Sequence, residues 1–304
     1  MQTAAFYKPS GKVPVMGIFH SLVWGILVGA VVSYLYVPAA IYIPFIYLNI
    51  IIWGVYAGIA GIGVMASLKS CKVRNPTVAT LLGGIVGLST LYIQWAIYCS
   101  FMLNSNHTSA YIPIGNHEHG FTFDKFIYFL SHPSDMLEFM SKISENGTWA
   151  IGRFTSSQNV SGIFLWIIWV IEAAGIVLFP LFISRMIASG LFSECQNRWM
   201  DKEDTNKILL EAFSGSNDDF KAKLVRNDFS SLLELKPTTS SSWVHTKVEL
   251  SSSGSPNENY LSVSFMKPAP TKKKPDGMDS EAIVQHLIVS DVDYKKLKEG
   301  LQLQ

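Results

Sequence analysis

Charge is what the first third of this chain lacks. Residues 13–103 hold three cations, Lys69, Lys72 and Arg74, and no carboxylate, whereas residues 190–304 hold 15 Lys and Arg against 17 Asp and Glu. Soluble domains carry roughly a quarter charged residues; here the share is 15%, against 49% hydrophobic. The early part of the chain is therefore written for lipid and the late part for water. A net charge of +1 provides neither a basic field for nucleic acid nor an acidic tail. Only three cysteines occur. Cys71 and Cys195 fall on the side expected to be cytoplasmic and Cys99 inside a helix, so no disulfide is expected. Gly-rich phosphate loops, nucleophile elbows, His-Glu-x-x-His helices and paired Cys motifs are also missing. No cofactor is expected, and an enzyme is the least favoured class. The N-terminal apolar run continues to about Val37 without a small-residue cleavage site, which reads as a first span rather than a removable leader.

Four apolar runs, at about residues 14–37, 41–66, 77–103 and 160–183, are each long enough to cross a hydrocarbon core of about 30 Å. The expected fold is an α-helical polytopic membrane protein: a four-helix transmembrane bundle over residues 1–190, with a small cytoplasmic α+β domain over 194–304. Pro38, Ala39 and Ala40 are the expected turn between spans one and two. Lys and Arg beside a span are retained in the cytoplasm. Lys8 and Lys12, then Lys69, Lys72 and Arg74, then Arg185, Arg198 and Lys202 all fall on one side. The exported loop 104–159 has three cations in 56 residues. Both termini are thus expected to be cytoplasmic.

Small residues recur at helical spacing: Gly17, Ser21, Gly25, Gly29 and Ser33 in span one, Gly54, Gly58 and Gly61 in span two, Gly83 and Gly87 in span three. Such ridges let backbones approach closely in lipid. They suit a tight bundle within one chain first and the seam of a homo-oligomer second. Within the loop, Ser134 to Glu145 puts Met136, Phe139, Met140 and Ile143 on one helical face, a helix expected to cap the bundle. In the C-terminal domain the pattern predicts helices over Asp201 to Phe213 and Asp218 to Leu235. Strands are expected at Val244 to Leu250, Leu261 to Phe265 and Ala282 to Val289. A last helix follows an N-cap at Ser290.

Glu172 is the most informative residue, a carboxylate near the middle of span four that must be buried, protonated or paired. It reads equally as a proton- or cation-responsive site, with His20 of span one as a candidate partner, and as a carboxyl that only satisfies helix packing. Asn49 and Gln94 lie at similar distances from the exported ends of spans two and three. They are expected to hydrogen-bond as structural glue worth roughly 0.6 to 2 kcal/mol. His117 and His119 flank Glu118 in the loop and are weak metal candidates, because no further ligand completes a site. Asn106, Asn146 and Asn159 begin glycosylation sequons. Lys272 to Lys274 reads as a solvated loop.

The stretches Gly147-Thr148-Trp149 and Trp169-Val170-Ile171-Glu172-Ala173 resemble those of uncharacterised multispan bacterial membrane proteins. That resemblance implies a bacterial plasma membrane, in which case the sequons have no role, and carries no activity with it. Two function classes remain. One is a nonenzymatic adaptor or sensor whose cytoplasmic domain binds a partner protein. The alternative is a small-solute or ion transport component that uses Glu172.

Overall fold

The structure, a computed structural model, describes residues 5–43, 46–103, 120–147, 150–151, 158–238, 244–268 and 278–302. The chain divides into two compact units, Ser10–Ser189 on one hand and Met1–Pro9 with Gly190–Gln304 on the other. In the first unit, α1 (Val15–Tyr42), α2 (Ile46–Ser70) and α3 (Pro76–Leu103) are followed by two shorter helices, α4 (Phe123–Ser131) and α5 (Pro133–Asn146). A two-residue ladder, β1 (Ala150–Ile151) with β2 (Gln158–Asn159), precedes α6 (Gly162–Ala188).

Four of these helices, α1, α2, α3 and α6, are long and apolar enough to cross a membrane, with mean hydropathy of 1.5 to 2.3 over their best windows. Only 17% of the α6 window is buried within the molecule, and Ile163, Val170 and Phe182 point outward. Water would penalise such a surface at roughly 25 cal/mol per Å², whereas lipid suits it.

The expected turn at 38–40 does not form. Pro38 lies inside α1, which continues to Tyr42 and closes with the Ile43 N–H on the Ala39 carbonyl at 3.1 Å. Proline is tolerated within membrane helices because neighbouring groups re-satisfy the freed carbonyl. The α3 start follows its sequence closely: the Asn75 side-chain oxygen accepts from the Thr77 and Val78 N–H groups at 3.0 and 3.1 Å, with Pro76 in the first turn.

The small residues pack within the chain. A Cβ on Gly83 would lie 2.5 Å from the Pro180 carbonyl oxygen, and one on Gly87 would lie 2.9 Å from the Val177 Cα. Backbone cannot yield as a side-chain tip can, so α3 and α6 approach as closely as they do because both positions lack a side chain. Gly25 and Gly29 similarly receive Val86 and Thr90. Gly54 and Gly58 differ, since among the described residues no atom lies within 4 Å of where their Cβ would be.

The loop helix packs as its periodicity predicts. Met136, Met140 and Ile143 of α5, with Phe129 of α4, are buried against Trp95, Ala96 and Cys99 of α3 and Leu165 and Trp169 of α6. The Tyr92 hydroxyl donates to the Leu130 carbonyl at 2.8 Å, fixing α4 to α3. Both short helices thus lie against the end of the bundle where α1 and α3 finish and α2 and α6 begin.

In the second unit a short ladder, β3 (Phe192–Ser193) with β4 (Arg198–Trp199), leads into a four-stranded antiparallel meander. Its strands, in spatial order, are β5 (Thr205–Glu211), β6 (His245–Ser252), β7 (Asn259–Pro268) and β8 (Met278–Val289). Helices α7 (Asn217–Val225), α8 (Ser230–Leu233) and α9 (Asp291–Gly300) complete it. Leu210, Val248, Leu250, Leu261 and Leu287 from the sheet meet Phe220, Leu224, Leu232 and Leu297 from the helices in one core. The expected helix over 201–213 is instead β5, paired with β6 along seven residues. Only a 3-10 turn forms there, at Lys202–Asp204, where the Asp204 carboxylate accepts from the Asp201 N–H and, at 2.6 and 2.7 Å, from the Arg198 guanidinium. The helix expected over 218–235 is split into α7 and α8. The Ser290 side chain caps α9 by accepting from the Asp293 N–H at 3.1 Å.

A stretch of each sheet edge is covered, which blunts its tendency to pair with other chains. On β5, the Glu211 N–H reaches the Lys236 carbonyl and the Thr238 N–H reaches that of Leu209. On β8, the N-terminal segment pairs through Phe6 with Leu287, and the Tyr7 N–H donates to the His286 carbonyl at 2.9 Å. The Tyr7 hydroxyl donates to the Gly190 carbonyl at 3.1 Å and accepts from the Phe192 N–H at 3.2 Å. Beside β3, the buried Glu258 carboxylate accepts from the Ser193 and Ser253 hydroxyls, both at 2.5 Å, and from the Cys195 N–H at 3.1 Å. Burial pushes its pKa up, but these hydrogen bonds outweigh it and hold the carboxyl below its ordinary value.

Candidate functional site

All four long helices contribute to one cavity of about 330 Å³. Residues four apart share a helix face, and each wall uses that spacing. From α1 come Tyr36 and Ala40. From α2 come Asn49 and Trp53, with Ile50 beside them. From α3 come Gln94 and Tyr98, with Trp95. From α6 come Ile168 and Glu172, with Trp169 and Ile171. The cavity lies toward the bundle end that carries α4 and α5, because its α2 and α6 residues are in the first half of their helices and its α1 and α3 residues in the second.

Aromatic packing shapes the walls. Trp95 and Trp169 meet edge to face with centroids 4.9 Å apart, Trp95 meets Tyr98 at 5.4 Å, and Tyr36 stacks on Tyr56 at 4.5 Å. Tyr56 is held in turn by Ser33, their hydroxyls 2.9 Å apart. The Trp53 indole lies against Gly175, where even a methyl group would overlap its ring. Its N–H donates to the Glu172 backbone carbonyl at 3.1 Å, so the indole joins α2 to α6 at the level of the carboxylate.

The lining holds one carboxylate, two amides and two phenols, and no Lys, Arg or His. Among the described residues Glu172 has no cation within ion-pair distance. A carboxylate in an apolar surround costs too much to stay bare, so it is completed by a proton or by a cation. The Asn49 amide nitrogen donates to the Ile43 carbonyl at 3.1 Å, while its buried oxygen has no partner among the described residues. The lining offers hydrogen-bond acceptors and aromatic surface around one carboxylate.

Three of the residues singled out from sequence, Glu172, Asn49 and Gln94, thus meet in one place. The expected bond between the two amides is not formed: the Asn49 nitrogen donates to Ile43 and its oxygen has no partner among the described residues, so the amides share only the cavity. His20 is not part of this site: it lies exposed on α1, stacked on Trp24 at 6.5 Å. His117 and His119 lie outside the described residues, as do Asn106 and Lys272 to Lys274. Among the described residues no three His, Cys, Asp or Glu side chains converge as metal ligands. The aromatic lining and Gly175 were missed in the sequence. Their signal was present in the four-residue steps from Asn49 to Trp53 and from Gln94 to Tyr98. Comparison with protein-family models, with curated proteins and with solved structures gives no match.

Proposed function

We propose that this is an integral membrane protein that binds a small solute within its helix bundle, acting as a transport or solute-sensing component centred on Glu172. The observation that carries this reading is the cavity to which all four long helices contribute and whose single carboxylate has no counter-charge among the described residues. Its volume falls within the roughly 300 to 1,000 Å³ usual for organic ligands, and its few polar groups converge from separate elements. The flanking cations support an orientation with both termini in the cytoplasm. Native mass spectrometry of the detergent-solubilised protein tests the reading. The expected result is a small molecule that co-purifies with the wild-type chain and is lost from a folded Glu172→Gln variant. Equal retention by both would contradict it.

A second reading, that the water-facing unit docks a partner protein, draws on that unit's own core and covered edges, which leave its surface free for a role other than folding. Cross-linking of the full-length protein in native membranes tests it. Cross-links from a partner should fall on residues 190–302, and cross-links confined to the bundle would contradict it.

A further inference from the structure

Resting on the solute-binding reading above, we infer that the occupant of the bundle cavity is an organic ammonium ion, a protonated amine with an apolar body. Glu172 supplies the counter-charge, and Tyr36, Trp53, Trp95, Tyr98 and Trp169 supply the surround. Charge decides the sign of the ligand. An anion entering this space would face a carboxylate with no cation in the lining to offset it, and the low dielectric makes that repulsion severe. A neutral solute would leave Glu172 to be satisfied by a proton alone. A cation removes the cost of burying the carboxylate in a lining rich in aromatic side chains, and a ring face turned toward a cation attracts it by roughly 0.5 to 2 kcal/mol.

Chemistry then separates organic from metal cations. Sodium, calcium and magnesium require a close shell of oxygens at fixed short distances. Here the oxygens of Glu172, Asn49 and Gln94 are contributed by three different helices around a cavity of about 330 Å³ whose lining also holds Trp53, Trp95 and Trp169. Such a wall suits a body of carbon. The Asn49 oxygen, without a partner among the described residues, adds an acceptor that an N–H donor satisfies and a quaternary ammonium does not, which favours a primary or secondary amine. A lipid ethanolamine headgroup shares this chemistry, but its phosphate would enter a lining without a cation, so a free amine fits better.

The test uses full-length protein in nanodiscs and three probes of nearly one shape: 2-phenylethylamine, 2-phenylethanol and 3-phenylpropionate. Binding is measured by isothermal titration calorimetry. The expected result is saturable binding of the amine alone, weakened at least about tenfold in Glu172→Gln, in bilayers of phosphatidylcholine and phosphatidylglycerol. Amine binding that vanishes when phosphatidylethanolamine is added would assign the site to the lipid headgroup and overturn the free-amine inference. Binding of the alcohol or the acid as tight as that of the amine would also overturn it while leaving the solute-binding reading intact. Failure of all three probes to bind a folded protein would overturn both. If Glu172→Gln does not fold, Tyr98→Leu replaces it: the loss of one ring should weaken the amine by several fold, and unchanged amine binding would count against the cage.

Discussion

Glu258 and Glu172 are both carboxylates taken out of water, and they are satisfied in opposite ways. Glu258 accepts three hydrogen bonds from its own chain. Its carboxyl is held below the ordinary value in the folded state, so it contributes stability that is complete above that ordinary value and is lost as pH falls through the depressed folded one. Hydrogen-exchange protection of the 191–200 segment, relative to the intrinsic rate at each pH, should therefore fall on acidification below about pH 4, where ordinary carboxylates protonate. Glu258→Ala, which strands several buried donors at roughly 1 to 3 kcal/mol each, should accelerate that exchange already at neutral pH; unchanged exchange would contradict the network. A further expectation concerns Asn49 and Gln94. With the Asn49 nitrogen donating to Ile43 and its oxygen without a partner among the described residues, the stability losses of Asn49→Leu and Gln94→Leu should add, and a coupling above about 0.5 kcal/mol would show a direct pair. Glu172 was legible because one acid in an apolar run stands out. Its neighbours were not, because tryptophan and tyrosine in an apolar helix look the same whether they face lipid or a cavity.

At the scale of elements, glycine distinguishes tight interfaces from open ones. Gly83→Ala should lower the thermal midpoint in detergent by several degrees, since the added methyl meets the Pro180 carbonyl with no room to move. Gly58→Ala should leave the midpoint unchanged or raise it slightly, because that position is open and alanine favours helix. Equal effects would show that the α3–α6 approach is not what these glycines serve. The long helices were legible from hydropathy and the α5 cap from its period. Strand β5 was not. Its Lys207-Ile208-Leu209-Leu210-Glu211 run carries good helix formers, but pairing with β6 and the burial of Leu210 override local propensity. The passage of α1 through Pro38 was hidden for a related reason, since a proline that ends helices in water can persist within one in a membrane.

For the molecule as a whole, the contrast between a sparsely charged helical unit and a densely charged sheet unit follows directly from composition, and the flanking cations support the proposed orientation. Cys195 is exposed in the sheet unit. A membrane-impermeant maleimide should label it in inverted vesicles and not in right-side-out ones; the reverse would overturn the orientation. The Glu258 carboxylate beside Cys195 pushes its thiol up, so labelling will be faster in alkaline buffer. What composition could not reveal is that the polar residues of three spans converge on one space, because that depends on how the helices are rotated.

The most direct measurement is an electron cryomicroscopy map of the full-length protein in lipid nanodiscs, wild type beside Glu172→Gln, each with 2-phenylethylamine present. The account predicts non-protein density between Trp53, Tyr98 and the Glu172 carboxylate in the wild type, and its loss in the variant. A wild-type map in which Trp53 and Tyr98 close over the space, leaving Glu172 packed against its own chain, would contradict it.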